Sequence, residues 1–367
     1  MPDDVTDAMR PTSLPALTGL RFFAASVVLW SHFAPSPLFT RSDAGPSAVS
    51  LFFLLSGFIL TYTAPPGRVR VREFYAARLA RIYPVYLLGL DLALVTTAGP
   101  TPTCPSRHAA LLPSLFAVQA WFQDRVTCLN NPAWSVSCEV FFYALFPLLL
   151  PLVRRVPQRR LPRVGVACWL LSLLLSGAFL LRHPTVDLGT LSGGGTLFRW
   201  LHFSPPARLP EFICGIVLGR LYLSGVRVPR PALALIVSLG WLPVVWYGVG
   251  LFGPLDDDLC LPAFAVLLLV LAQPGAVSRA LAHPAVVALG EASYGLYIMH
   301  WPLHGLVVRA GLVSPLLGGW ASFGAYTLLC VAVSLVSLRV LEAPARRAIR
   351  ACLAPPYCRF TREPARA

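Results

Sequence analysis

The stretch LTGLRFFAASVVLWSHF, residues 17–33, is an apolar run broken by one arginine, Arg21, and one histidine, His32. Extended to 15–35 it has the length of a bilayer span, which needs roughly 20 predominantly apolar residues. Runs of the same kind recur at 48–63, 82–98, 133–153, 164–182, 209–223, 232–252, 259–273, 286–309 and 318–340, separated by Pro, Gly and Arg clusters. The pattern predicts an all-α polytopic transmembrane bundle of about ten helices.

Composition agrees with that reading. Of 367 residues 56% are hydrophobic and only 13% charged, about half the charged share of a soluble domain. All 30 basic residues are arginine, and the net charge is +14. Nucleic acid is not expected as a partner, because arginines beside spans act as orientation signals and as contacts to anionic membrane lipid. With an even number of spans both termini fall on one side. Arg41, Arg107, Arg125, Arg182, Arg199, Arg208 and Arg309 then lie in loops on the other side, together with Asp256, Asp257 and Asp258, which leaves 23 of the 30 arginines on the first. The positive-inside rule makes that first side cytoplasmic, for a multi-pass protein of the plasma membrane. Residues 1–14 read as an N-tail without the basic region and cleavage site of a signal peptide, 15–344 as one membrane domain and 345–367 as a basic cytoplasmic C-tail.

Two outside segments, Gly99 to Pro132 and His183 to Arg208 with its Gly193, Gly194, Gly195 run, are long enough to cover a binding site. Cys104 and Cys128 share the first, where an oxidising environment permits either a disulfide or two free thiols. Five cysteines in or near spans read as small core residues. Cys352 and Cys358 lack a second pair of ligands, so no metal is expected.

Ionisable side chains inside a bilayer are expensive and mark pairing or function. Arg21 and His32 are eleven residues apart, three helical turns and roughly 20°, so they share a face about 16 Å apart along the axis. They read either as a snorkelling cation and an interhelical hydrogen bond, or as two ends of a site. In FYAARLARIYP, residues 74–84, Arg78 and Arg81 share a face of what reads as a short interfacial helix. They suit phosphate through bidentate bonds, or equally a lipid head group. In NPAWSVSCEVFFYALFP, residues 131–147, Ser135, Glu139 and Tyr143 form one polar stripe, with Glu139 either paired or catalytic. In GEASYGLYIMHWPLHG, residues 290–305, Ser293, Tyr297, His300 and His304 form another, with His304 read as structural. Glu211 and Glu342 are expected to pair with arginines, and Asp91 has no evident role.

Seven segments in order, LTGLRFFAASVVLWSHF, SLFFLLSGFILTY, FYAARLARIYPVYLL, NPAWSVSCEVFFYALFPLLL, RLPEFICGIVLG, LGEASYGLYIMHWPL and LEAP, resemble the acyltransferase 3 family of membrane-bound O-acyltransferases from Leu14 to about Pro344. The resemblance implies transfer of an acyl group, commonly acetyl, from acyl-CoA to a hydroxyl of a sugar, a surface glycan or a small secondary metabolite such as a macrolide sugar. Acyl-CoA is then a donor substrate, and no cofactor is permanently bound. The family's first-span pair falls on Arg21 and His32, its paired arginines on Arg78 and Arg81, its Trp-Ser and Glu on Trp134, Ser135 and Glu139, and its ninth-span residues on Ser293, Tyr297 and His300. Val140 stands where many members carry a polar residue, so the carry-over ends at Glu139. Many relatives bear an added extracytoplasmic hydrolase-like domain that this sequence lacks, so the membrane unit is expected to complete transfer alone or with a separate protein.

In the mechanism so implied, CoA phosphates meet Arg78, Arg81 and Arg21, and the pantetheine arm runs along the first helix to His32. His32 is either general base or transient acyl carrier. Glu139 orients or charge-balances the imidazole, and Tyr297 and His300, with Trp134, Ser135 and Ser293, serve the acceptor or the developing oxyanion. The rival reading is a proton-coupled transporter or flippase of a glycosylated or anionic substrate, in which the same residues relay protons.

Overall fold

The computed structural model describes residues 13–36, 44–67, 69–96, 104, 106–183, 195–248, 255–311 and 318–353. Every regular element among them is helical: α1 (Pro15–Phe33), α2 (Ala44–Thr63), α3 (Val71–Thr96), α4 (Arg107–Leu115), α5 (Trp134–Arg155), α6 (Leu161–Arg182), α7 (Gly195–Phe203), α8 (Pro205–Leu223), α9 (Pro231–Tyr247), α10 (Asp256–Leu271), α11 (Ala276–Leu281), α12 (Pro284–Arg309), α13 (Gly318–Ser337) and, after a π-helical turn at Leu338–Glu342, α14 (Ala343–Leu353). Residues 1–12 of the N-tail, Arg41, residues 184–194 of the second outside segment, and the C-tail from 354 with Cys358 lie outside the described residues.

Each of the ten expected runs falls on a helix. Six helical stretches among the described residues are long and apolar enough to cross a membrane: α1, α2, α3, α5 with its lead-in from Asn131, α6 from Gln158, and the rod Gly319–Ile349. The other four are shorter or more polar. α9 has 17 residues, α10 has 16 and begins with three aspartates, α8 carries Arg208, Glu211 and Arg220, and α12 carries Glu291, His300 and His304.

The outside of the bundle is apolar. Leu181 is 86% exposed, Leu174 68%, Ile236 67% and Leu328 71%, a density of solvent-facing aliphatic surface that water does not tolerate and lipid does. α2 is the central helix and packs along α8. A Cβ on Gly215 would stand 2.1 Å from the Leu54 carbonyl oxygen, so glycine lets the two backbones touch, as small residues do between membrane helices. α1 lies along α12 in the same way, where a Cβ on Gly290 would meet the Thr18 carbonyl oxygen at 2.0 Å. That contact sets His32 beside His300.

Two local readings change. Arg78 and Arg81 sit within a continuous 26-residue helix rather than a short interfacial one, because Pro84 leaves α3 unbroken. The Asp256–Asp258 trio, expected in a loop, forms the buried first turn of α10. Residues 106–133, between α3 and α5, fold down onto the bundle. Cys104 and Cys128 are joined in a disulfide, Ser106 caps α4 through Ala109 N–H, and the Asn130 amide donates to the Ile298 carbonyl at 2.9 Å. That carbonyl has lost its own helical donor because Pro302, four residues on, carries no N–H. Cys138, Cys214, Cys260 and Cys330 are buried, as expected of small core residues, whereas Cys168, the fifth of the span cysteines, is only partly buried. Asp91 lies on an exposed face of α3, and nothing in the structure explains it.

Candidate active site

A cavity of about 360 Å³ opens between α1, α2, α3, α5 and α12, within the usual range for a small-molecule site. Arg21, Arg78, Arg81, Ser135, Glu139, Ser293 and Tyr297 all line it, joined by Ser56, Tyr143 and Tyr294. Four helices far apart in sequence thus bring seven of the expected residues to one space. His32, His300 and Trp134 are not on its wall.

One end is cationic. Arg21 near the start of α1 and Arg78 and Arg81 in the first half of α3 line the cavity together with Ser13, Tyr62 and Thr63, which mark the N-terminal end of α1 and the C-terminal end of α2. Glu139 is their one carboxylate on the cavity wall, within electrostatic reach of Arg21, Arg81 and Arg78. The Glu342–Arg346 pair behind the wall is also in reach of Arg21 and Arg81 and is itself balanced, so the three guanidinium groups keep an excess of positive charge over Glu139 that an anion can satisfy. Arg78 leans on the Tyr143 ring, with 5.8 Å from its guanidinium carbon to the ring centroid, and its buried Nε has no acceptor.

The deep end is lined with hydroxyls. The Tyr297 and Ser135 hydroxyl oxygens lie 3.0 and 3.1 Å from the Pro132 carbonyl oxygen and 2.7 Å from each other, so one hydroxyl donates to the carbonyl and the other donates to its neighbour. Phe52 meets the Tyr297 ring edge-on at 5.7 Å and closes this end. Ser293 turns back to the Gly290 carbonyl at 2.7 Å and is committed to its own helix.

Beyond Tyr297, with ring centroids 6.3 Å apart, lies His300, fully buried. Its Nε2 is 2.9 Å from His32 Nδ1, and the two imidazoles meet edge to edge, their planes 16° apart and their centroids 5.1 Å apart. His32 is half-buried at the C-terminal end of α1, with Phe33 and Trp301 against it. Glu139 therefore does not orient His32. It faces the arginines, and the ring that holds His32 is His300. Spacing along α1 shows that Arg21 and His32 share a face but not which helix meets each. Trp134 packs on Phe53 and Phe203 and under the Arg208 guanidinium, forming a wall behind the cavity.

That wall separates the cavity from a second polar cluster. Arg208 is buried and reaches Asp257 at 2.8 Å, Ser50 at 2.7 Å and Glu211 at 3.1 Å. Ser176 donates to Asp258 at 2.8 Å, and His202 stands 3.9 Å from Asp257. Glu211 pairs with arginine as expected, and Glu342 pairs with Arg346 at 2.5 Å. The partnership of Arg208 with Asp257 has no signal in spacing, since 49 residues separate them.

An apolar-faced helical bundle with a polar internal cavity has the build of a membrane enzyme. The chain belongs to the acyltransferase family: the family model described as an acyltransferase domain matches residues 14–339. It is similar to acyltransferase MdmB of Streptomyces mycarofaciens, 32% identical over 359 residues covering 89% of each chain. It is similar also to exopolysaccharide production protein ExoZ of Rhizobium meliloti, 30% identical over 84% of this chain and 91% of that one. To O-acetyltransferase OatA of Staphylococcus aureus it is 23% identical over 80% of this chain and 51% of that longer protein. No solved structure matches it. The protein is a membrane O-acyltransferase.

Proposed function

We propose that the chain moves an acyl group, acetyl first among candidates, from acyl-CoA to a hydroxyl of a glycan or of a small glycosylated metabolite. The observation that carries this reading is the polarity of the cavity, with three arginines at one end and the Ser135–Tyr297 hydroxyls at the other. Phosphates of the donor would meet Arg21, Arg78 and Arg81, with Glu139 holding those guanidinium groups in place. The slim pantetheine arm would occupy the cavity and point its thioester at Tyr297.

His32 then serves as general base. It takes the proton of the acceptor hydroxyl as the oxygen attacks the thioester carbonyl, and returns it to the departing CoA sulfur as the C–S bond breaks. The Tyr297 ring would be the partition that the thioester end passes, and its hydroxyl would turn from the Ser135–Pro132 cluster to donate to the developing oxyanion. His32 stands near the end of α1 opposite Arg21, so donor and acceptor approach from opposite ends. This fits ten spans, a plasma-membrane location and a cytoplasmic donor face. The Cys104–Cys128 bridge supports the same sidedness, because disulfides persist on the oxidising side.

The test uses the full chain in nanodiscs with acetyl-CoA and hydroxylated acceptors, following thiol release and the mass of the product. Wild type is expected to release thiol and add an acyl mass, and a folded His32→Ala protein to do neither. Full activity in His32→Ala refutes the assignment of His32. Solute movement without any covalent change refutes the donor.

A further inference from the structure

Resting on the reading of His32 as the base, we infer that His300 is a positioning residue that fixes the tautomer of His32 and leaves Nε2 as its basic nitrogen. The inference comes from following protons along three groups. His300 Nδ1 is 3.2 Å from the Leu296 carbonyl oxygen, one helical turn back on α12. A carbonyl only accepts, so Nδ1 carries a hydrogen and donates it. His300 is fully buried, with His32, Phe33, Tyr297 and His304 around it and, among the described residues, no carboxylate contributing to its electrostatics. An unpaired charge there would cost several kcal/mol, so the ring is neutral.

A neutral imidazole with its hydrogen on Nδ1 has a lone pair on Nε2. Only a donor satisfies that lone pair, and the group 2.9 Å away is His32 Nδ1. His32 therefore carries its own hydrogen on Nδ1, and the nitrogen free to take a proton is Nε2. The backbone orders the whole relay. Leu296 holds His300, and the Tyr326 hydroxyl donates to the His300 main-chain carbonyl and pins that turn.

The consequence for the reaction is specific. When Nε2 takes the acceptor proton, His32 becomes an imidazolium whose Nδ1–H still points at the His300 lone pair. The new charge is met by an acceptor already in place, the role a buried carboxylate plays in a Ser-His-Asp triad. His300 neither gains nor loses a proton and touches no substrate. This replaces the expectation that it binds the acceptor.

The deciding experiment is ¹⁵N solid-state NMR of the full chain in nanodiscs with ring-labelled histidine. The chain has seven histidines, so the His32 signals are identified by their loss in His32→Ala. A protonated Nδ1 and a bare Nε2 on His32 are expected, and the reverse tautomer overturns the inference. Kinetics supply the second readout. His300→Phe keeps the shape but not the acceptor, and should lower kcat by about a hundredfold or more with KM for acyl-CoA little changed. His300→Gln, whose carbonyl can accept near the Nε2 position, should recover much of that loss. Wild-type kcat in His300→Phe overturns the inference, and so does a Gln variant no better than Phe. The underlying reading fails separately: it falls if His32→Ala is fully active, whatever the tautomer.

Discussion

Arginine is used in two opposite ways on the two sides of Trp134. Arg208 is buried among Asp257, Glu211 and Ser50, with its guanidinium carbon 5.8 Å from the Phe53 centroid and 6.0 Å from that of Trp134. Arg21, Arg78 and Arg81 share one carboxylate, Glu139, on the wall of an open cavity. A guanidinium enclosed by carboxylates in a closed site holds helices together, as Arg208 does for α2, α8 and α10. Charges left in excess around a cavity await a ligand. The difference lies in the ratio of cations to carboxylates and in the free volume beside them, about 20 Å³ at Arg208 against about 360 Å³ at the three arginines.

The contrast predicts effects of very different size. Replacing Arg208 with Ala strands Glu211 and Asp257 without their cation, a loss of about 3–5 kcal/mol for a broken buried pair. The variant should fail to accumulate, or melt far below wild type when followed by fluorescence-detected size exclusion after heating. A normal melting temperature would erase the distinction between the two regions. Next in size, Cys104→Ser with Cys128→Ser removes a bridge closing a 24-residue separation, about 3.5 kcal/mol by the chain-entropy estimate. It should lower the melting temperature and leave KM for acyl-CoA alone.

In the cavity the expected effects are on binding. Arg78→Ala combined with Arg81→Ala removes two charge-assisted contacts of about 1.5–3 kcal/mol each. KM for acyl-CoA should rise at least tenfold, with the melting temperature within a few degrees of wild type. A fall in stability as large as that of Arg208→Ala would mean that these arginines are structural as well. Smallest is Tyr297→Phe, which keeps the aromatic partition and removes a hydroxyl bonded to Ser135 and Pro132. A loss of about 1 kcal/mol in stability is expected, together with a larger drop in kcat if the hydroxyl meets the oxyanion. An unchanged kcat limits Tyr297 to the wall.

Much of this could be read along the chain because membrane helices obey one-dimensional rules. Span length and arginine placement depend on local sequence, so all ten expected runs fall on helices. Shared faces follow from helical geometry, so Arg78 and Arg81 on α3, and Ser135 and Glu139 on α5, reach one cavity as their spacing predicts. Pairings between helices are not legible this way. Nothing within RLPEFICG indicates that Arg208 reaches an aspartate 49 residues away, or that Asp257 is buried rather than in a loop. That His300 rather than Glu139 lies beside His32 has the same origin. Spacing places a group on a face, and the packing of α1 along α12 through Gly290 decides which face meets His32.

The most direct measurement is equilibrium binding of acetyl-CoA to the full chain in nanodiscs, at low and moderate salt, for wild type and for the protein carrying Arg78→Ala and Arg81→Ala. A donor held by its phosphates in the arginine cavity predicts binding to wild type that weakens as salt rises, and at least a tenfold loss in the double variant with its fold intact. Equal affinity in the two proteins, or no binding to wild type at either salt concentration, would contradict the assignment of this cavity to the acyl donor.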